Sequence, residues 1–385
     1  MNINPSIYFI GIWSIPFLLS FLGWSYGVSA IDESLLMYIL LLFVVVMLSS
    51  YMGTVIFPKK IHRPIKYKGF DNYNTVNRKI LFFTVLPISI LLIEISHFES
   101  VPGLLYLGVE SVGYNEFTEY LGVLHHLLFK SSFLVLSLIS FYLYSIRKNS
   151  KYLFLWILMF VIAFILVSRS LMIGMLIQAT ILTILNNKFN YKKFLKALLF
   201  IYLFSLLFGY IGMVRVGDSH GMEVYRQTES FPEMFPDGLL MLYVYLVSPL
   251  SNLSNNIDIY NAISFNPIDV FYNFIPSSFV HEVFTKSDLE FKLFVDTFNT
   301  ETFLHDYLSA FGYLGLLPVI FLYFLVFNLV HFLSLRSIKW KLIYVVILYG
   351  ISLTIFSNSL SPVQFAQALF IYIIFTKTSI RKKHV

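Results

Sequence analysis

Apolar residues fill most of this chain in long blocks, separated by short polar stretches that carry most of the charge. A helical block of roughly 17 to 25 such residues matches the thickness of a hydrocarbon core, about 30 Å. The pattern predicts ten such spans: 7–25, 35–57, 80–97, 120–145, 152–168, 170–186, 196–214, 311–333, 341–358 and 363–377. The fold class is therefore all-α, a polytopic integral membrane protein of about ten transmembrane helices, with twelve as the upper bound. Residues 1–385 are expected to form a single transmembrane domain. The first block is expected to stay, because no Lys or Arg precedes it and the polytopic pattern continues beyond it. The stretch GLLMLYVYLVSPL, 238–250, is apolar but short for a span. It is expected to be re-entrant or to lie at the interface.

Charge gives the blocks a direction. Alternate loops at 58–79, 146–151, 187–196, 334–341 and from 377 onward hold 21 of the 27 Lys and Arg residues. Acidic residues do the reverse, with only Asp71 among 21 on the Lys-rich side. The positive-inside rule then predicts that both termini are cytoplasmic. Residues 215–310 become one large extracytoplasmic loop region, since a crossing at 238–250 would put RSIKWK and the tail RKKHV outside. The composition agrees with a membrane protein, at 58% hydrophobic and 12% charged where soluble domains carry about 25% charged residues. The net charge of +6 describes a basic fringe against anionic lipid, and nucleic acid is not an expected partner.

The chain has no cysteine, which excludes disulfides and thiolate metal sites. It also lacks a phosphate-binding G-x-x-x-x-G-K-[ST] loop, a dinucleotide G-x-G-x-x-G before a helix and an H-E-x-x-H zinc motif, so neither metal nor cofactor is expected.

Against this background Arg169 stands out, within FILVSRSLMIG. An arginine at the centre of a span costs roughly 2.5 to 3.5 kcal/mol on insertion scales and belongs in a bundle interior or a water-filled cavity. It lies on the side where cations are scarce, which points to an anionic ligand. The alternative is that it snorkels or caps a helix end. Arg215 and Arg226, in GMVRVGDSHGMEVYRQ, are further candidates, because a guanidinium stays charged and grips phosphate in a bidentate fork. Their alternatives are a headgroup anchor for Arg215 and a salt bridge to Glu223 or Glu229 for Arg226. His220 is a candidate base or a plain loop histidine.

A second polar cluster is FNTETFLHDYLSAFGYLGLLP, 298–318. A helix from about Glu301 would put Glu301 and His305 on one face, with Asp306 on the adjacent one. These residues are candidates for catalysis or acceptor positioning, or for simple capping around Thr300 and Thr302. On the fourth span Glu119, His126 and Lys130 fall at i, i+7 and i+11, with His125 beside them, the pattern of a polar stripe lining a cavity wall.

The SRS turn at 168–170 between two short spans, RVG at 215–217 and HDYLSAFGYLGLLP from His305 resemble the Wzy-type polymerases of O-antigen and capsule repeat units. The likeness covers most of the chain as an architecture of many spans plus one large outer loop, similar in layout to O-antigen ligases and to GT-C membrane glycosyltransferases. It implies an enzyme of the bacterial inner membrane that joins undecaprenyl-diphosphate-linked oligosaccharide units, donor to acceptor, at the periplasmic face. It also implies a chain-length regulator protein as a partner. By motif position the SRS arginine is Arg169, and an outer-loop arginine is Arg215 or Arg226. Arginines aimed at the diphosphate would stabilise its departure without a metal. His220, His305 or Asp306 would accept the proton of the acceptor hydroxyl. His126, Lys130 and Glu301 would contact substrate. Two other functions remain open: a lipid-linked oligosaccharide flippase, and an O-antigen ligase.

Overall fold

A computed structural model describes residues 3–25, 28, 31–57, 67–70, 73–107, 112–186, 228, 230–232, 237–271, 302–356, 362–376 and 380–382. Among the described residues the apolar blocks are helical. They form α1 (Pro5–Ser20), α2 (Glu33–Ile56), α3 (Tyr73–Phe98), α4 (Tyr114–Glu119), α5 (Lys130–Arg147), α6 (Ser150–Ile165) and α7 (Arg169–Asn186). Further along lie α8 (Asp237–Ser254), the short α9 (Ile268–Phe271), α10 (Phe303–Ser334), α11 (Ile338–Leu353) and α12 (Pro362–Phe375). Side-chain caps start several of them: Asn4 accepts from the Ser6 and Ile7 amides, Asp32 from Ser34 and Asn149 from Lys151.

Four stretches are long and apolar enough to cross a membrane: Glu33–Ile56, Asn77–Phe98, Leu124–Arg147 and Phe303–Ser334. Shorter apolar helices accompany them, at Pro5–Ser20, Ser150–Ile165, Ser170–Asn186 and Val363–Phe375. Together they describe an all-α membrane protein. The expected span at 196–214 lies outside the described residues. The expected short piece at 238–250 is part of an 18-residue helix, α8. It packs beside α1, with the Tyr243 hydroxyl accepting from the Trp24 amide at 3.3 Å and Ser254 Oγ accepting from the Asp32 amide at 2.7 Å. One short antiparallel ladder joins β1 (Tyr67–Phe70), just before α3, to β2 (Ile380–Lys382), just after α12.

Bonds between helices show which ends lie together. Asn4 donates to Ser50 Oγ at 2.9 Å, the Tyr344 hydroxyl to the Ile3 carbonyl at 2.5 Å, and Lys341 Nζ to Asn186 Oδ1 at 2.5 Å. Lys79 Nζ donates to the Thr376 carbonyl at 2.7 Å, and Lys339 Nζ lies 3.8 Å from the Tyr372 ring centre. One end of the bundle thus gathers the starts of α1, α3 and α11 with the ends of α2, α7 and α12, and carries Lys79, Lys339 and Lys341.

At the other end the Phe303 amide donates to the Thr354 carbonyl at 2.9 Å, and Trp13 Nε1 to Thr354 Oγ1 at 2.9 Å. Ser131 Oγ donates to the Val363 carbonyl at 3.2 Å. Gly174 sits so close to α11 that an added Cβ would lie 2.9 Å from the Tyr349 hydroxyl. The starts of α5, α7, α10 and α12 therefore meet the end of α11, and this end carries Asp269 and Asp306. Small residues at such contacts let helices approach where lipid removes the hydrophobic drive to associate.

Candidate functional site

Local backbone geometry builds the polar end of α10. Thr302 caps the helix, its Oγ1 accepting from the Leu304 amide at 3.2 Å. One and a half turns past Asp306 the helix breaks at Gly312, where φ is 70° and ψ is 175°. Glycine is needed there twice over: φ is left-handed, and an added Cβ would lie 2.5 Å from the Asn261 carbonyl oxygen.

The segment 261–266 fills the break. The Ser264 and Asn266 amides donate to the Phe311 and Ala310 carbonyls at 3.0 and 2.8 Å, while Tyr313 and Leu314 donate to the Asn261 and Ala262 carbonyls at 3.2 and 2.9 Å. Groups that a broken helix would leave bare are satisfied by this irregular segment.

The docked segment brings side chains to α10. The Tyr260 hydroxyl lies 2.5 Å from His305 Nδ1. Ser309 Oγ donates to Asp269 Oδ2 at 2.5 Å, and Asn266 Nδ2 donates to Asp269 Oδ1 at 2.9 Å. Tyr260, Asp269, His305, Asp306 and Ser309 are all buried. The bond at Nδ1 sets what His305 can do. If Tyr260 donates, the neutral ring carries its proton on Nε2 and is a donor there; if Nδ1–H donates to Tyr260, Nε2 is a base.

Of the residues singled out in the sequence, His305 and Asp306 fall in this buried cluster. Arg169 is the first residue of α7. Its end of α7 is the end where Gly174 meets Tyr349, the same end of the bundle as Phe303 and Thr354. The turn before it is tight, with Val167 at φ 58° and the buried Ser168 donating its amide to the Ala163 carbonyl at 3.0 Å. It is also covered: the turn of 3-10 helix at Pro102–Leu107 presses on it so closely that a Cβ on Gly103 would lie 2.3 Å from the Ile165 carbonyl oxygen. Arg215, His220, Arg226 and Glu301 lie outside the described residues.

The stripe expected on the fourth span is corrected. The helix is not continuous there: α4 ends at Glu119, Gly122 turns at φ 46°, and Leu124–Phe129 is a π-helical turn before α5. Glu119 is exposed, His126 and Lys130 are half-buried, and His125 is the buried member. His125 Nδ1 lies 2.7 Å from Oε1 of Glu94 on α3, a residue the sequence reading passed over. Asp269, Tyr260 and Ser309 were also missed. A lone acid inside an apolar span was the available signal for Glu94. Asp269 had none, because its partners are 40 positions away or belong to an irregular segment.

Comparison with protein-family models, with characterised proteins and with solved structures gives no match.

Proposed function

We propose that this chain is a membrane glycosyltransferase that joins undecaprenyl-diphosphate-linked oligosaccharide units into O-antigen or capsular polysaccharide. In this reading it has ten spans in a GT-C-like arrangement. It sits in the bacterial inner membrane with both termini cytoplasmic, and works at the periplasmic face. The observation that carries the reading is the buried cluster of His305, Asp306, Tyr260 and Asp269. It lies at the same end of the bundle as the α7 start bearing Arg169, opposite the end with Lys79, Lys339 and Lys341.

The roles follow from the chemistry. The donor sugar's bond to diphosphate breaks as the acceptor hydroxyl attacks, so negative charge grows on the diphosphate oxygens. Arg169, with Arg215 and Arg226 from the outer region, meets that charge through forked hydrogen bonds. Asp306, His305 or His220 takes the hydroxyl proton. His126, Lys130 and Glu301 hold the saccharide or its phosphate, and a chain-length regulator acts as partner.

The test uses cells lacking the protein, complemented with wild type or Arg169→Ala at equal membrane expression. Loss of one charge-stabilising donor is worth roughly 100- to 1,000-fold in rate, so Arg169→Ala is expected to leave single repeat units on lipid A. A normal length ladder would remove Arg169 from the site. Without the gene, full-length polymer retained on the carrier lipid would instead indicate a ligase, and single units held on the cytoplasmic side a flippase.

A further inference from the structure

Among the long helices α3 is the most exposed to the surroundings of the bundle, with only 17% of its span buried. Its buried residues in the described span are Pro87, Ile90 and Glu94, spaced as one stripe of a helix. An apolar residue at 94 would complete that stripe. Instead a carboxyl group, 0% exposed, meets the imidazole of His125, 1% exposed, through a single 2.7 Å contact between Oε1 and Nδ1.

The remaining atoms of the pair, Glu94 Oε2 and His125 Nε2, are buried and have no partner among the described residues. Each orphaned polar atom costs about 1–3 kcal/mol. A buried pair of this kind is seldom more stabilising than apolar residues of the same volume. Stability thus gives no reason for it to be there. The π-helical turn at Leu124–Phe129 that presents His125 is a local insertion of a type concentrated at functional sites.

We propose that Glu94 and His125 form a proton-binding site inside the membrane, loaded from the groove beside α3. Uptake of one hydron changes no covalent bond between heavy atoms. With Glu94 ionised and Nδ1–H donating to it, Oε2 and Nε2 both accept. One added proton turns one of those two atoms into a donor, so occupancy reverses the hydrogen-bonding sense of the pair's open side.

Access is at hand. Ser96 and His97, two and three positions beyond Glu94, line an open groove with Leu92, Ile93 and Tyr120. The His97 and Tyr120 rings stack there at 3.7 Å. The other charged or titratable groups on the elements packed here are His126 and Lys130 beside the pair, and Glu116 and Glu119 on α4. From α12, which packs on α3, the titratable group is Tyr372 near that helix's far end. The inference does not depend on glycosyl transfer.

The test is thermal unfolding of the full chain in lipid nanodiscs, from mildly acid to mildly alkaline pH, for wild type, Glu94→Gln, His125→Gln and the double variant. The expected result is a pH-dependent midpoint in the wild type whose slope is reduced to the same extent in both single variants and no further in the double. A wild-type-minus-variant difference that stays constant with pH would make the pair a fixed structural bond and overturn the proposal. Should Glu94→Gln not fold, infrared difference spectra of the wild type and His125→Gln between the pH extremes decide. A buried carboxyl band that appears with pH and changes in His125→Gln supports the site, and its absence from the wild type overturns it.

Discussion

At Val167 the backbone stands at φ 58°, a region that β-branched side chains avoid because Cβ meets the carbonyl oxygen. Holding a residue there costs about 1–3 kcal/mol, and the cost falls two residues before Arg169. The Ala163 carbonyl bond and the close approach of Gly103 keep the turn in place. Val167→Gly is therefore expected to raise stability by on the order of 1 kcal/mol, read as a higher unfolding midpoint in detergent. An unchanged or lower midpoint would mean that the half-buried valine packs well enough to outweigh the strain. The same substitution separates fold from function, since it relaxes the turn without removing the guanidinium.

The break in α10 is where one element depends on another. Segment 261–266 satisfies the backbone of the break, and Asp269 pins the following residues to Ser309. Asp269→Asn would keep the bond from Asn266 but replace the charge-assisted bond from Ser309 by a neutral one, in which the hydroxyl turns to accept, at a cost of about 1 kcal/mol. Gly312→Ala adds a left-handed φ to a 2.5 Å clash with backbone, and is expected to cost more, roughly 3 kcal/mol or above. Proteolysis of detergent-purified protein reads both: cleavage within 255–271 should rise in each variant, and resistance equal to wild type would mean the segment is held by other contacts. This part of the molecule was the hardest to foresee. Long apolar runs announce α2, α3, α5 and α10 because burial in lipid demands uninterrupted hydrophobicity over a full crossing. Buried His305 and Asp306 were legible as polar residues leading into such a run. Tyr260 and Asp269 were not, because their value comes from a docking that no local period encodes. The π-helical turn at Leu124–Phe129 defeated the stripe logic for a related reason, as it breaks the 3.6-residue register on which that logic rests.

For the whole molecule the decisive property is the segregation of charge between two ends. Lys148 and Lys339 lie near the termini of α5 and α11 at one end, whereas Glu116 and Asp258 belong to segments at the other. If the bundle crosses the membrane, the two ends face different compartments, and the positive-inside rule assigns the lysines to the cytoplasm. The chain contains no cysteine, so single cysteines placed at these four positions report without background. In intact cells a membrane-impermeant thiol reagent is expected to label Glu116→Cys and Asp258→Cys, while Lys148→Cys and Lys339→Cys become reactive only after the membrane is opened. The reverse pattern would invert the protein and move His305, Asp306 and the start of α7 to the cytoplasmic face. That outcome would remove the polymerase reading, because lipid-linked units would then meet the buried cluster before they are flipped. Labelling of all four positions from one side would show that the helices lie on the membrane instead of through it.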